Sequence, residues 1–143
     1  MLFGEARHSM DAKNRLFIPA TQRDELGTPF MAVRAFRDKC IKLYSMAQWE
    51  IYRNEIKDKL SKNGQAREQV NRFLHGLAAQ LTPDAQGRVL LPSGLVQYAG
   101  IVKNVVIVGC GDYAEIWSDT QYELNMEQMD MESMIASLEE CGL

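Results

Sequence analysis

The sequence predicts an α+β fold in which one β-rich unit occurs twice, with a helical hairpin between the copies. Three observations predict it. The segment from Ser9 to Pro19 recurs from Thr82 to Pro92, so that Asp11 matches Asp84, Arg15 matches Arg88 and Pro19 matches Pro92, each 73 positions apart. The same spacing relates Gly27 to Gly100, Val33 to Val106, Tyr44 to Trp117, Ser45 to Ser118, Gln48 to Gln121 and Trp49 to Tyr122. An ungapped offset over so many positions reads as one supersecondary unit, duplicated and fused. Each copy also has two runs of β-branched and aromatic residues around a turn, which is a hairpin signature. Between the copies, apolar residues recur at helical spacing. The chain of 143 residues is one domain's worth of material. Halves of about 70 residues would each be marginal alone, because small units bury too little of their surface. The two are therefore expected to share one core.

Residues 2–8 read as a short extended strand. The loop 10–14 follows, and Asp11 at its start can accept backbone N–H bonds from its own turn. Positions 14 and 87 require φ > 0, which suits Gly87 and is tolerated by Asn14 better than by most residues. Residues 16–18 and 89–91 are short apolar strands. Pro19 and Pro92 each suit a first helical position, and the helices behind them stop at Gly27 and Gly100. Residues 30–36 and 102–108 are strands, 37–39 and 109–112 turns, and 40–44 and 113–117 return strands. Ser45 with Gln48, and Ser118 with Gln121, have capping-box spacing, and Tyr44 with Trp49 and Trp117 with Tyr122 have staple spacing. These aromatics are assigned to packing rather than base stacking.

A helix over 46–62 places Trp49, Tyr52, Ile56 and Leu60 on one stripe and breaks at Asn63-Gly64. A second helix, about 66–80, places Val70, Phe73, Leu74, Leu77 and Ala78 on one face. The outer face of this hairpin is rich in cations (Arg53, Lys57, Lys59, Lys62, Arg67, Arg72). Interspersed Glu50, Glu55, Asp58 and Glu68 make it read as a solvated face. The acidic, methionine-rich tail, residues 125–143, could place Met126, Met134, Ile135 and Leu138 on one side of a weak helix, stay disordered, or dock on a neighbouring subunit.

The formal net charge is −3, which at first argues against nucleic acid. Residues 1–73 hold 14 Lys/Arg against 9 Asp/Glu, a balance of +5, whereas residues 74–143 hold 2 against 10, a balance of −8. That asymmetry points to one basic working face and one acidic face, and DNA affinity follows local Lys/Arg rather than the total. Three cysteines, Cys40, Cys110 and Cys141, make no C-x-x-C pair, so free thiols in a reducing cytoplasm are expected rather than disulfides or zinc. His8 and His75 have no metal-ligand spacing, and no cofactor is expected. No apolar run approaches the roughly 20 residues that span a bilayer, and Met1–Glu5 has no signal-peptide character. Neither membrane association nor secretion is therefore expected.

The paired D-x-x-[GN]-R-x-x-[IL]-P segments, the Y/W-S-x-x-Q-W/Y segments and the V-V-I-V-G run (105–109) resemble the MraZ family of bacterial transcriptional regulators. The resemblance covers roughly residues 1–125 and requires both copies in register. It implies a pair of tandem SpoVT/AbrB-like units, pseudo-twofold, of the double-psi or swapped-hairpin β-barrel type. The units would span 1–50 and 81–124, with the hairpin at 51–80 and the tail at 125–143. It also implies a nucleoid-associated repressor that binds repeated boxes in double-stranded DNA as a ring-like homo-oligomer. The site implied is the promoter of the division and cell-wall genes, including its own. One departure is visible: Asn14 stands where the family usually has the glycine that Gly87 supplies.

No serine-hydrolase elbow, zinc-protease, P-loop or dinucleotide motif is present. Asp11 and Asp84 each have an arginine four residues on, which favours a permanently ionised carboxylate over a general acid. An enzyme is not expected. The Asp/Arg motif itself has two readings: Arg15 and Arg88 clamp their own loops, or the motif delivers arginine to guanine in a major groove that admits a β-ribbon. Residue types alone favour the clamp. The resemblance reverses this for the first copy, in keeping with the cluster Arg7, Lys13, Arg15, Arg23 and Arg34. The expected DNA-binding residues are Arg7, Asp11, Lys13, Arg15, Asp84 and Arg88, with Arg15 mattering most and Arg88 more structural. The competing class is a ring-forming scaffold whose basic face binds an acidic partner.

Overall fold

The computed structural model describes residues 1–60 and 64–143. In chain order its elements are β1 (Glu5–Ser9), β2 (Arg15–Phe17), α1 (Ala20–Leu26), β3 (Phe30–Arg34), β4 (Ile41–Ser45), α2 (Met46–Lys59), α3 (Gly64–Gly76), β5 (Ala79–Leu81), β6 (Arg88–Leu90), α4 (Ser93–Tyr98), β7 (Asn104–Gly109), β8 (Ala114–Ser118), α5 (Asp119–Glu127) and α6 (Met131–Glu140). Antiparallel sheets and helices mix as the α+β reading expects. The expected helix end at 62 and the break at Asn63 lie outside the described residues.

Six strands form one sheet in the order β1-β7-β8-β4-β3-β5, and β2 pairs with β6 in a separate two-stranded ladder. That order reads the same from either end once each strand is exchanged for its copy. The halves trade their first strands: β1 lies beside β7 of the other half, and β5 beside β3. Two pairs join a residue to its own counterpart 73 positions on, Leu16 to Val89 and Lys42 to Glu115. A pseudo-twofold axis therefore passes through both the ladder and the centre of the large sheet.

The exchange leaves no core that belongs to one half. Leu16, Ile18, Phe30, Ala32, Ile41 and Leu43 pack with Val89, Leu91, Leu95, Val105, Ile107 and Ile116 in a single buried cluster. Alternate residues of the same strands face outward (period 2). There Val33 and Tyr44 are covered by Trp49 and Leu74, and Val106 and Trp117 by Tyr122. Tyr44 and Trp49 lie 6.1 Å apart by ring centroids and Trp117 and Tyr122 lie 5.9 Å apart, so the aromatics do pack as expected. Ser45 and Ser118 accept the N–H groups of Gln48 and Gln121 at 3.2 and 3.1 Å, which makes both N-caps.

Three expectations need correction. The second helix ends at Gly76, and Ala79–Leu81 is strand β5 rather than helix. Burial of Leu81 opposite Phe30 decides the conformation there, against the helical spacing. Pro19 and Pro92 have ψ of 143° and 141° and stand one residue ahead of their helices, which open at Ala20 and Ser93. The ungapped offset also fails through one strand. Val33 faces Lys42 while Glu115, the copy of Lys42, faces Val108, so Val33 corresponds in space to Val108 rather than Val106. The hairpin loop of the second half is shorter, closed by Cys110 N–H to the Tyr113 carbonyl at 2.8 Å, while the first closes from Ala35 to Cys40. A slip of two keeps every side chain on its original face, whereas a slip of one would have inverted the strand.

The tail forms α6, capped by the Asp130 carboxylate on the Ser133 N–H at 3.2 Å, and every residue from 123 onward is exposed. On the hairpin's outer face, Arg53 pairs with Glu50 and Lys59 with Glu55, at 2.9 and 3.0 Å, as a solvated face should. Among the described residues no helix is long and apolar enough to cross a membrane.

Candidate nucleic-acid interface

The ladder between β2 and β6 carries one Asp/Arg loop at each end. In the first loop, Asp11 Oδ1 accepts the backbone N–H groups of Lys13 and Arg15, both at 2.9 Å, and Oδ2 accepts Arg15 Nε at 2.6 Å. In the second, Asp84 Oδ1 accepts the N–H groups of Gln86 and Arg88, both at 2.9 Å, and Oδ2 accepts Arg88 Nε at 3.1 Å. The backbone closes each turn as well, with Asp11 N–H on the Arg15 carbonyl and Asp84 N–H on that of Arg88. Asn14 and Gly87 have φ of 60° and 80°, the left-handed conformation expected at both positions.

The loops are locked to each other. Ile18 donates its N–H to the Gly87 carbonyl at 3.0 Å, and Leu91 donates to that of Asn14 at 2.9 Å. The left-handed residue of each turn thus turns its carbonyl to the other copy. Both carboxyls are held below the ordinary value of 3.8. The backbone N–H of Arg15 is the chief cause for Asp11, and that of Arg88 for Asp84. A carboxylate accepting several donors is stabilised as the anion, so neither Asp is placed to act as a proton donor at neutral pH.

The clamp and the delivery of arginine prove compatible. Arg15 meets Asp11 through Nε, and its side chain remains 37 % exposed. Arg88 is the more committed of the two. Besides Asp84 it lies 4.0 Å, through Nη1, from Asp11 Oδ2, and its side chain is 31 % exposed. Lys13 is exposed on the first loop, where the second has Gln86. Asp11, Lys13, Arg15, Asp84 and Arg88 are therefore brought together. Arg7 is placed elsewhere, on β1, paired with Glu123 at 2.5 Å and Glu5 at 3.6 Å, with its guanidinium 6.0 Å from the Tyr122 ring centroid.

Sequence reasoning grouped Arg23 with the basic cluster without giving it a place. Its guanidinium lies 5.5 Å from the Phe17 ring centroid, and Nε donates to the Ile18 carbonyl at 2.7 Å. A Cβ on Gly87 would come within 2.7 Å of Arg23 Cζ. The position equivalent to Arg23 in the second half is Val96. Lys13, Arg15, Arg23 and Arg88 thus outnumber the two carboxylates around the ladder.

Cys40 and Cys110 both direct their thiols toward Glu115, at 3.7 and 3.6 Å. Desolvation and the neighbouring Glu115 carboxylate push up both thiols, that of Cys110 to about 12 although the residue is exposed and that of the buried Cys40 higher still. These are poor nucleophiles, because the thiolate is the reactive form. Among the described residues no group of three or more His, Cys, Asp or Glu side chains could hold a metal ion.

The family model described as "MraZ protein, putative antitoxin-like" matches residues 1–72 and 74–141, two stretches that start 73 positions apart, as the copies do. A transcriptional regulator MraZ of Clostridium acetobutylicum is 35 % identical over the whole of both chains. One of Syntrophomonas wolfei is 38 % identical, also over the whole of both. One of Carboxydothermus hydrogenoformans is 45 % identical over 82 % of this chain and 81 % of its own. These relatives are named as regulators, not as enzymes. The chain belongs to the MraZ family.

Proposed function

We propose that this protein is a sequence-specific DNA-binding transcriptional regulator, a repressor acting at the promoter of the division and cell-wall gene cluster, its own gene included. The observation that carries the reading is the pair of braced arginine loops at the two ends of one two-stranded ladder. A β-ribbon fits the major groove, and an arginine held by Nε can turn its Nη edge toward guanine O6 and N7. In this reading Arg15 reads a base, Lys13 meets a phosphate, Asp11 and Asp84 fix the loops, and Arg88 braces both. Arg7 contributes to DNA only by leaving Glu123. The names of the relatives support a regulatory role.

The two strand-exchanging halves are then the AbrB-like units, near residues 1–50 and 81–124, with the second opening at β5. They flank the hairpin at 51–80, and the tail occupies 125–143. A few phosphate contacts per chain would bind weakly. A ring-like homo-oligomer on repeated boxes gains effective concentration without new contacts. The exposed Met131, Met134, Ile135 and Leu138 of α6 offer apolar surface for such an assembly to bury. Action on chromosomal DNA places the protein in the cytoplasm with the nucleoid.

A gel-shift with DNA from upstream of its own gene, against excess random DNA, tests the reading. Retention on the upstream DNA is expected. Equal competition by random DNA would sink it and favour a scaffold whose basic face binds an acidic protein.

A further inference from the structure

The ladder presents more than arginine. Its inward residues are Leu16 and Val89, both fully buried, and its outward residues are Arg15, Phe17, Arg88 and Leu90. The register sets Arg15 opposite Leu90 and Phe17 opposite Arg88. The pseudo-twofold exchanges these two pairs, so each arginine has one apolar neighbour across the ladder.

The two neighbours are not alike. Phe17 is covered: the His8 ring meets it edge-on at 5.2 Å, and the Arg23 guanidinium lies 5.5 Å from its ring centroid. Leu90 is 62 % exposed. In the second half, the positions of His8 and Arg23 are Leu81 and Val96, both buried in the protein's core, so neither covers Leu90. A single exposed leucine is ordinary on a protein surface. One in a three-residue ladder, directly across from the less committed arginine, is an apolar side chain beside the arginine proposed to read a base. The chemical mark that distinguishes thymine in the major groove is its C5-methyl group, which is read by apolar contact.

We propose that Leu90 is a specificity-determining residue that contacts the C5-methyl of a thymine neighbouring the guanine read by Arg15. The inference rests on the DNA-binding reading above. It makes the recognition unit a pair drawn from both halves, Arg15 from the first and Leu90 from the second. The counterpart pair, Arg88 and Phe17, is already occupied within the protein.

The test is a cycle on DNA from upstream of the protein's own gene, with each thymine replaced in turn by uracil, which lacks only the methyl. At one thymine per box the wild-type protein should lose roughly fourfold in affinity per contact, the worth of one buried methylene. Leu90→Ala should lose a similar factor on the thymine DNA and should not distinguish thymine from uracil there. Its circular dichroism and melting temperature should match wild type, since Leu90 is exposed. Leu90→Ala that binds like wild type, or that loses equally on thymine and uracil DNA at every position, overturns the proposal. So does a wild-type protein that prefers its promoter yet ignores every methyl, a result that leaves the DNA-binding reading intact. No preference for the promoter over random DNA would instead sink the parent reading, and this inference with it.

Discussion

The Asp11 loop and the Asp84 loop share every scaffolding bond and differ in what surrounds them. Each aspartate takes two backbone N–H groups and one arginine Nε, and the carbonyl of each left-handed residue accepts a backbone N–H from the opposite copy. Outside that frame the copies diverge: Lys13 against Gln86, Arg23 against Val96, Phe17 against Leu90. The Asp and Arg that brace each loop recur in both copies, while Lys13, Phe17 and Arg23 do not. The first loop has the extra cation, and its arginine is bound to one carboxylate rather than two.

Separating the halves should have the largest effect. Residues 81–143 alone would lose β1 from beside β7, β2 from beside β6 and β4 from beside β8. They should show no cooperative transition in urea followed by circular dichroism. A cooperative, monomeric unfolding curve from that fragment would mean the second half has its own core.

Substitution at the left-handed positions should split the copies. Gly87→Ala combines φ of 80° with a Cβ 2.7 Å from Arg23 Cζ, and should cost about 1–3 kcal/mol. Asn14→Gly keeps the conformation and should change stability by less than about 1 kcal/mol. Chemical denaturation of the two variants checks this, and equal losses would deny Arg23 its role over Gly87.

The carboxylates should behave alike. Both have folded values lowered below 3.8, so the folded state binds fewer protons than the unfolded chain. Their contribution to stability is therefore fully present above the unfolded value and is lost as the pH falls through the lowered folded one. Asp11→Asn and Asp84→Asn should each flatten the acid limb of the stability-against-pH curve, by similar amounts. A curve unchanged by either substitution would mean the loops do not depend on the charge.

The smallest effect concerns Lys13. Lys13→Ala should make the slope of log K against log salt shallower by roughly 0.9 for each phosphate released per engaged subunit, with little change in which sequence is preferred. Gln86→Ala should leave the slope as it was. A slope insensitive to Lys13 would take the first loop off the phosphates.

Features set by local chemistry were legible in the sequence. An Asp followed four residues later by Arg, with Gly or Asn before the Arg, specifies the braced turn and its positive φ, and Ser45 and Ser118 mark their helix starts. The shared core followed from the size of each half. What was not legible depends on partners distant in the chain. Ala79–Leu81 looked like the end of a helix, although the offset of 73 already aligned it with β1. The two-residue shift of β7 against β3 left no trace in the composition of either strand, because an even slip preserves alternation. Arg23 over Gly87 and the bareness of Leu90 arise from packing between halves, which no spacing within one half records. Arg7 read as part of a basic cluster because Glu123, its partner, lies 116 residues away.

In the proposed reading the arginine of the first loop reads a base while that of the second braces the loops, and substituting each in turn separates the two roles. Arg15→Ala and Arg88→Ala should be compared for binding to the upstream DNA, with circular dichroism and melting confirming that both still fold. Arg15→Ala is expected to lose about 1–3 kcal/mol for each guanine contact and most of its preference over random DNA, while Arg88→Ala loses far less. Equal losses from the two variants would contradict it, and would mean that both loops meet the DNA in the same way.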